Sequence, residues 1–426
     1  MSSMTSTLRF KAGSAAVLSS LALAGSASAQ IGGGNEPPDG STMVAQVPSE
    51  MQAAISKWEL LQKNTQLGFY DYSGFALAYP TFPRMEIIRL RAENTLAVEA
   101  PSRADVLRFF DANPPLSNPA LARYAMALAA ESRIEAFETA RAAWRGGDMA
   151  DNVELTIESL YARRFTPEDH AARMDALLWQ GKAEAAARHM TQLDPADRPL
   201  ALARLALVNR STPAEAEMDV PEGAYLDAGF LYNLADLHRK RGEYGEAASI
   251  LGNRLDVTAP AFDGEAMVSL MLAVTKKASA TNAMRIASKI DDLFAPGEDI
   301  SQGSFLLRDR YTDLMWLGGT KALWTLGRAD QAAPLFERYG KAARSSLTKA
   351  KGFYWGGRAA ARAGNTQEAT RLYQAATQWP DYYYAHLALD ALGQPMPDFA
   401  PQTRPANQPE PQAQIETQPK TKPQHK

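Results

Sequence analysis

Cysteine is absent from the 426 residues of this chain. Its absence excludes disulfide bonds, thiolate catalysis, cysteine-ligated metals and lipid attachment at a cysteine. Long apolar runs are also lacking, because no segment approaches the ~18 apolar residues of a membrane-spanning helix. The formal net charge is −3 and no basic run occurs, which argues against nucleic acid as a partner. Strand-like alternation of apolar and polar residues is rare, so we expect an all-α fold.

The N-terminus has the features of an export signal. Arg9 and Lys11 precede a short stretch of small and apolar residues, 15–25, and Ala27-Ser28-Ala29 supplies the small residues that signal peptidase requires. This pattern predicts a signal peptide over 1–29 that is removed on export. Without a cysteine for lipid attachment, the bacterial periplasm is the expected location, and secretion into the medium is the alternative.

Composition divides the remainder into three parts. Residues 30–50 are rich in Gly and Pro, which predicts a flexible linker. Residues 51–394 are rich in Ala and Leu, which predicts an α-superhelical domain. Residues 395–426 contain many prolines among Gln, Thr and Lys, which predicts a disordered tail. The lysines Lys420, Lys422 and Lys426 are interpreted as part of a solvated terminus.

Helix starts are marked by capping residues before proline. Asn118-Pro119, Thr166-Pro167 and Thr212-Pro213 each predict the first turn of a helix. Asp169 stands three residues after Thr166, where it can complete a capping box.

A spaced triplet repeats four times along the helical region. Each copy has a Gly, an Ala five residues on and a large apolar residue four beyond that: Gly181, Ala186, Met190; Gly242, Ala247, Leu251; Gly327, Ala332, Phe336; and Gly364, Ala369, Tyr373. The Gly ends one helix in a left-handed conformation, and the Ala lets the next helix approach. Ala235, Thr320 and Gly357 supply the small position seven residues before three of these glycines. This pattern predicts tetratricopeptide-like hairpins stacked into an irregular superhelix.

Four segments carry motifs similar to those of one family. They include, in chain order, Tyr79-Pro80, Pro83 and Ala92-Glu93; Phe109-Phe110, Pro114-Pro115 and Ala143-Trp144-Arg145-Gly146; Thr166, Asp169-His170, Arg173 and Leu177-Leu178-Trp179; and Tyr354-Trp355, Arg358-Ala359, Gly364, Ala369, Tyr373, Pro380, Tyr383-Tyr384, Leu387-Ala388 and Leu392-Gly393. Over 75–393 the chain therefore resembles the superhelical and linker regions of the soluble lytic transglycosylases of Gram-negative bacteria. Phe82 replaces a common Trp, and Ala385 replaces a common Gly.

The resemblance implies a periplasmic protein that acts on peptidoglycan. In the family a lysozyme-like domain follows the linker, with a Glu-Ser pair whose Glu is the general acid and a Gly-Leu-Met-Gln stretch. We expect this domain to be absent here, because about 30 residues follow Gly393 and a cleft needs on the order of 100. Glu131-Ser132 and Glu158-Ser159 lack the second motif and are interpreted as helix-surface residues. No catalytic residue is therefore predicted.

Other chemistry has little support in the sequence. The five histidines show no zinc-binding spacing, and no Gly-rich phosphate loop or nucleophile elbow occurs. We predict neither a metal nor a cofactor.

Aromatic residues cluster near the C-terminus of the helical region. From this cluster, Tyr354, Trp355, Arg358, Tyr383 and Tyr384 are the predicted binding residues. Aromatic faces stack on sugar rings, although large rings also fill gaps between helices.

Three functional hypotheses remain open. The first is a non-catalytic scaffold that binds peptidoglycan or a cell-wall enzyme. The second is the non-catalytic portion of an active lytic transglycosylase whose catalytic domain is elsewhere. The third is a general periplasmic adaptor that binds peptides.

Overall fold

The computed structural model describes residues 49–397. The predicted signal peptide (1–29) lies outside these residues, as do nearly all of the predicted linker (30–50) and nearly all of the predicted tail (395–426). The chain divides into two units between Lys57 and Trp58. Of the first unit the structure describes 49–57, the start of the first helix.

The described residues form 19 α-helices and no strand, which confirms the all-α prediction. The helices are α1 Ser49–Lys63, α2 Phe69–Ala78, α3 Met85–Thr95, α4 Arg103–Ala112, α5 Asn118–Ala130, α6 Ala136–Arg145, α7 Asp151–Tyr161, α8 Pro167–Trp179, α9 Ala183–His189, α10 Arg198–Val208, α11 Ala228–Lys240, α12 Tyr244–Asn253, α13 Gly264–Thr275, α14 Ala280–Ser288, α15 Phe305–Thr320, α16 Ala329–Ala342, α17 Ser346–Arg362, α18 Thr366–Ala376 and α19 Tyr383–Ala391. A π-helical turn, Lys321–Thr325, continues α15.

Helices that follow one another pack as neighbours, most extensively α15 with α16, α16 with α17 and α17 with α18. The glycines predicted to end helices all have positive φ, from 67° to 80°, at Gly181, Gly242, Gly327 and Gly364. The alanines five residues later, Ala186, Ala247, Ala332 and Ala369, are all buried. The predicted packing of helical pairs is therefore present, while their tetratricopeptide-like designation stays a prediction.

The hydrophobic core forms clusters in chain order rather than one central nucleus. The first runs from Leu61 to Ala127, and the largest runs from Trp179 to Ala388. This arrangement is typical of stacked repeats, in which each pair of helices completes the core of its neighbours.

One predicted helix start is wrong. Thr212 and Glu215 do form reciprocal capping hydrogen bonds, from Thr212 N–H to the Glu215 carboxylate (2.7 Å) and from Glu215 N–H to Thr212 Oγ1 (3.2 Å). The chain makes only one turn here, because Glu217 adopts a left-handed φ of 53°. Pro221 then disfavours helical backbone at the residue before it.

The other two predicted starts are helical. At Thr166 the predicted capping box with Asp169 forms, and Thr166 N–H donates to the Asp169 carboxylate at 3.0 Å. Asn118 lies inside α5, and its amide donates to the carbonyls of Ala143 and Asp148 at 2.9 Å. It therefore ties α5 to the end of α6 rather than capping its own helix.

The assignment of Thr320 as the small residue on the first helix of its pair is also wrong. A Cβ on Gly319 would lie 2.9 Å from the Phe336 ring, whereas Thr320 is only partly buried. The cause is the π-helical turn that follows, which inserts one extra residue before Gly327. Gly319 therefore takes the place that Gly357 takes against Tyr373 in the next pair.

None of the helices described between residues 49 and 397 has both the length and the hydrophobicity needed to cross a membrane.

Candidate functional site

Helix α17 carries three of the five predicted binding residues. Tyr354, Trp355 and Arg358 are spaced so that they lie on adjoining parts of one helix face. The position of α17 is fixed by close backbone contact with α16, because a Cβ on Gly352 would lie 2.6 Å from the Gly340 Cα. With its backbone held in this way, α17 presents its aromatic side chains toward α15 and α19.

Five rings from three segments form a continuous series, here called the aromatic row. It runs through Trp324, Trp355, Tyr354, Tyr384 and Tyr383. Successive ring centroids are 5.0, 5.5, 5.7 and 5.5 Å apart, within the range of favourable aromatic contacts. The rings at the two ends are the open ones, since Trp324 is 51% exposed and Tyr383 is 65% exposed.

The structure therefore brings the five predicted residues together. Tyr354 is buried in the middle of the row, and Trp355 and Tyr384 are half-buried. The Arg358 guanidinium lies 5.4 Å from the Trp355 ring centre, and its Nη1 is 3.4 Å from the Tyr354 hydroxyl. Tyr354 fills a gap between helices, as the packing interpretation of these rings expects. The rings at the two ends of the row remain exposed to solvent.

Not every aromatic residue near the C-terminus belongs to this group. Phe353 and Trp379 stack face to face, with centroids 6.0 Å apart and an interplanar angle of 4°. Phe353 precedes Trp355 by two positions, which places it on the opposite face of α17. Tyr373 is buried against Gly357, where it fills the gap between α17 and α18.

Four contributing residues were missed in the sequence. Trp316, Trp324, Tyr339 and Lys351 come from α15, the π-helical turn, α16 and α17. The Lys351 ammonium lies 3.5 Å from the Trp316 ring centre and 5.5 Å from that of Tyr339. Trp316 is in turn 6.4 Å from Trp324, so these side chains lie beside the Trp324 end of the aromatic row.

The spacing of the two tryptophans concealed their contact. Eight residues of regular α-helix would separate Trp316 and Trp324 by about 80° around the axis. The extra residue of the π-helical turn returns Trp324 to the face of Trp316. In the sequence, the one sign of this contact is the occurrence of two Trp residues within nine positions.

Two positively charged groups lie beside the row. Lys351 and Arg358 both lie against ring faces, in the cation–π geometry that holds a cation at an aromatic surface. Partial burial lowers the pKa of Lys351 from its usual range. Burial, with a further contribution from Tyr384, raises the pKa of Tyr339. The arrangement offers ring faces for stacking and cations for a carboxylate.

The two Glu-Ser pairs belong to other helices than those that carry the aromatic row. Glu131 follows α5 and forms an exposed ion pair with Arg103 at 3.1 Å. Glu158 lies on α7 and accepts a hydrogen bond from Gln192 at 2.7 Å. Both side chains are therefore engaged in contacts between helices.

Two histidines face each other in the interior. The rings of His170 and His189 are 5.2 Å apart, and both contact Trp144. Burial lowers the pKa of both, and with the nearby Arg173 charge it lowers that of His189 to about 4. Among residues 49–397 no group of three or more His, Asp or Glu side chains is placed to hold a metal ion.

Comparison with known proteins gives results at the level of structure only. No protein-family model matches the chain, and no curated protein sequence matches it. An inactive mutant of the lytic transglycosylase Slt from Pseudomonas aeruginosa is similar, with 18% identity and a TM-score of 0.38 over 81% of this chain. The 70-kDa soluble lytic transglycosylase from Escherichia coli is similar, with 16% identity and a TM-score of 0.34 over 82% of this chain.

A 70-kDa soluble lytic transglycosylase in complex with bulgecin A gives 17% identity and a TM-score of 0.35. The chain spans about half of these structures, covering 54% of each. All three are lytic transglycosylases by name.

Proposed function

We propose that this chain is an exported, non-catalytic helical scaffold that binds the glycan strands of peptidoglycan through the aromatic row. The observation that carries the proposal is the exposure of Trp324 and Tyr383 at the two ends of one continuous series of rings. Large rings that serve only as packing are expected to be buried, as Tyr354 and Tyr373 are.

The chemistry of the surface suits a sugar polymer. The C–H faces of pyranose rings are apolar and pack on aromatic rings, while their edges are polar. The stem peptides attached to the glycan strands of peptidoglycan also carry carboxylates. Lys351 and Arg358 stand beside the rings, where each can form a charge-assisted hydrogen bond to a carboxylate.

Two sequence features support this ligand over others. The motifs over 75–393 resemble those of lytic transglycosylases, whose substrate is peptidoglycan. Arg9, Lys11 and Ala27-Ser28-Ala29 predict export, which would bring the chain to the compartment that contains this polymer. The proposed location is therefore the periplasm.

Sedimentation with purified sacculi tests the proposal. We expect the mature chain to pellet with sacculi, and Trp324→Ala and Tyr383→Ala each to weaken binding by roughly three- to tenfold, the loss expected for one aromatic stacking contact. Phe305→Ala is the matched control, because Phe305 is another exposed ring, at the opposite end of α15. Equal binding by all four proteins would contradict a glycan role for the aromatic row. If none of the four proteins bound sacculi and all four bound a cell-wall enzyme equally well, a protein partner would be favoured.

Absence of catalysis is tested on the same material. We expect no release of anhydro-muropeptides from sacculi, because Glu131 and Glu158 are held in contacts between helices. Activity that disappears in Glu131→Gln or Glu158→Gln would place a catalytic acid inside the helical region and overturn the scaffold proposal.

A further inference from the structure

The two cations beside the aromatic row lack an acidic partner. Among residues 49–397, neither Lys351 nor Arg358 forms an ion pair with a carboxylate, and both contact aromatic side chains instead. Cations on the neighbouring helices α16 and α18 are paired, since Lys341 and Arg371 both contact the Glu337 carboxylate at 2.8 Å. The aromatic row therefore has two positive charges beside it that the described part of the chain does not neutralise.

Each cation is held over a ring that contacts the exposed Trp324. The Lys351 ammonium lies over Trp316, whose ring centroid is 6.4 Å from that of Trp324. The Arg358 guanidinium lies over Trp355, whose ring centroid is 5.0 Å from that of Trp324. A sugar stacked on Trp324 would therefore have a cation on each of two neighbouring rings.

The two cations share one face of α17 and are spaced along it. Seven residues, or about two helical turns, separate Lys351 from Arg358, which places their Cα atoms about 10 Å apart along the helix axis. Because each cation also lies over a different ring, the pair suits two carboxylates on one ligand rather than a single anion. A polymer that carries an acidic group on every repeat has this pattern of charge.

The closeness of the charges to the rings limits which carboxylates they can meet. The ammonium is 3.5 Å and the guanidinium 5.4 Å from a ring centre, so both lie near the level of a stacked sugar. In peptidoglycan every second sugar carries a lactyl group, and the carboxyl of this group is consumed in the amide bond to the stem peptide. The carboxylates of the stem peptide are several bonds further from the sugar, on a flexible chain. Removal of the peptide leaves a carboxylate close to the sugar ring, within reach of these cations.

We propose that the aromatic row selects glycan strands from which the stem peptides have been removed, and that Lys351 and Arg358 recognise the lactyl carboxylates. Because such selection requires that a glycan strand stacks on the row, it rests on the proposed function. A carboxylate beside Lys351 favours the charged form of this ammonium, which partial burial disfavours. A strand that keeps its peptides offers a neutral amide at the same position, and a neutral acceptor forms a weaker hydrogen bond with a cation than a carboxylate does.

Titration calorimetry of the full mature chain with three soluble forms of the same strands tests this selection. Amidase digestion of sacculi releases peptide-free strands, and endopeptidase digestion releases strands that keep their peptides. Coupling of glycinamide to the peptide-free strands converts their lactyl carboxylates into neutral amides. We expect the peptide-free strands to bind roughly tenfold more tightly than the neutral strands, the effect of two partly exposed ion pairs. Equal binding of these two forms, or tighter binding of the strands that keep their peptides, would overturn the proposal.

Variants on α17 identify the residues that recognise the carboxylates. The ratio of the affinities for peptide-free and neutral strands should fall about threefold in Lys351→Gln and in Arg358→Gln, whereas Lys351→Arg should keep it. Lys349→Gln is the matched control, because Lys349 is another half-buried lysine of α17 and lies over the Trp379 ring at 5.7 Å, on the opposite face of the helix. A ratio that stayed the same in both Gln variants, or that fell as much in Lys349→Gln, would overturn the assignment.

The same titrations separate a failure of charge selection from a failure of glycan binding. If Trp324→Ala weakened the binding of all three strands and the parent preferred none of them, the row would bind glycan without recognising its charge. Selection would then be overturned, while the proposed function would stand. If none of the three strands bound to the parent, both proposals would be overturned.

Discussion

The helices from α5 to α11 and those from α15 to α19 solve the same packing problem in different ways. In the first region the gaps between helical pairs are filled by buried charged groups, of which Asp169, Arg173 and Arg204 are examples. In the second region the gaps are closed by glycines that face aromatic rings or other backbone, as at Gly319, Gly352 and Gly357. Both regions share the stacked helical pairs, and they differ in what lies between them.

The charged region depends on pairing between buried groups. Arg173 is fully buried, its guanidinium lies 4.1 Å from the Trp144 ring centre, and it contacts the Gly147 carbonyl (2.7 Å) and Glu154 (2.9 Å). Burial acts to raise the pKa of Asp169, but the hydrogen bonds that it accepts from Thr166 N–H, Arg141 and Arg145 together outweigh burial and lower the pKa. Asp169 is thus held by several partners, whereas Arg173 and Arg204 each keep a buried nitrogen without a hydrogen-bond partner.

The aromatic region does not depend on pairing in this way. Rings pack through their faces and edges without needing a specific partner, so a row can continue past the core into solvent. Trp324 and Tyr383 are the parts of the row that do so. A binding surface can thus extend from the packing of helical pairs without a change of fold.

Loss of Arg173 is the largest effect that we expect. Arg173→Ala should lower the free energy of unfolding by about 3–5 kcal/mol, because Glu154 and the Gly147 carbonyl would lose a buried cation. Arg173→Met keeps the volume and should cost less than the alanine variant. Arg188→Met is the control, since Arg188 is an exposed neighbour of Glu154. Urea unfolding measures all three, and an alanine variant as stable as the parent would show that the buried charge is dispensable.

Acidification should have the second-largest effect, and we expect it to destabilise the charged region, which contains His189. His189 is 2% exposed and its pKa is lowered to about 4, against about 6.5 in an unfolded chain. Between these values the unfolded chain binds a proton that the folded chain does not, so stability falls as the pH falls through this window. We expect a loss of about 2–3 kcal/mol from this group between pH 7 and pH 4.5.

Comparison with His189→Gln isolates that contribution. Urea unfolding at both pH values should show a smaller pH dependence in the variant than in the parent. His238 lies outside the pair formed by His170 and His189. The stability of His238→Gln should therefore depend on pH as that of the parent does. If the free energy of unfolding of His189→Gln changed with pH as much as that of the parent, His189 would have to be accessible to protons in the folded state.

Gly352→Ala tests the aromatic region by adding a single methyl group. A Cβ there would lie 2.6 Å from both the N and Cα atoms of Gly340 and 2.9 Å from the Phe336 carbonyl oxygen. These neighbours are backbone atoms, so α16 and α17 must separate. We expect a loss of about 1–3 kcal/mol in thermal or urea unfolding. A neutral result would mean that these helices are less tightly held than the structure indicates.

The sequence predicted the features that depend on local chemistry. Positive φ at Gly181 and Gly364 followed from the need to end a helix and turn. The motifs that carry the family resemblance include Glu93 and Arg173, and both are buried in contacts between helices. The Glu93 carboxylate, for example, accepts hydrogen bonds from the N–H groups of Leu116 and Ser117.

The features that were missed depend on non-local geometry. Thr212-Pro213 has the chemistry of a helix start, but the left-handed turn at Glu217 ends it after one turn. Lys351 meets Trp316 only because α15 and α17 both pack on α16. The π-helical turn that aligns Trp324 with Trp316 has no composition signal of its own. Half of the candidate surface was therefore beyond prediction from sequence spacing.

Gly74→Ala makes the same chemical change as Gly352→Ala in the N-terminal helices, and we expect the opposite sign. Gly74 lies inside α2, it is exposed, and an added Cβ would meet no atom within 4 Å. Alanine restricts the unfolded chain and favours helix, so the variant should be more stable by about 0.5–1 kcal/mol. The pair of variants, measured by the same urea unfolding, separates the helix propensity common to both from the backbone contact that only Gly352 makes. If both variants were destabilised equally, close backbone contact would not be what distinguishes the C-terminal helices.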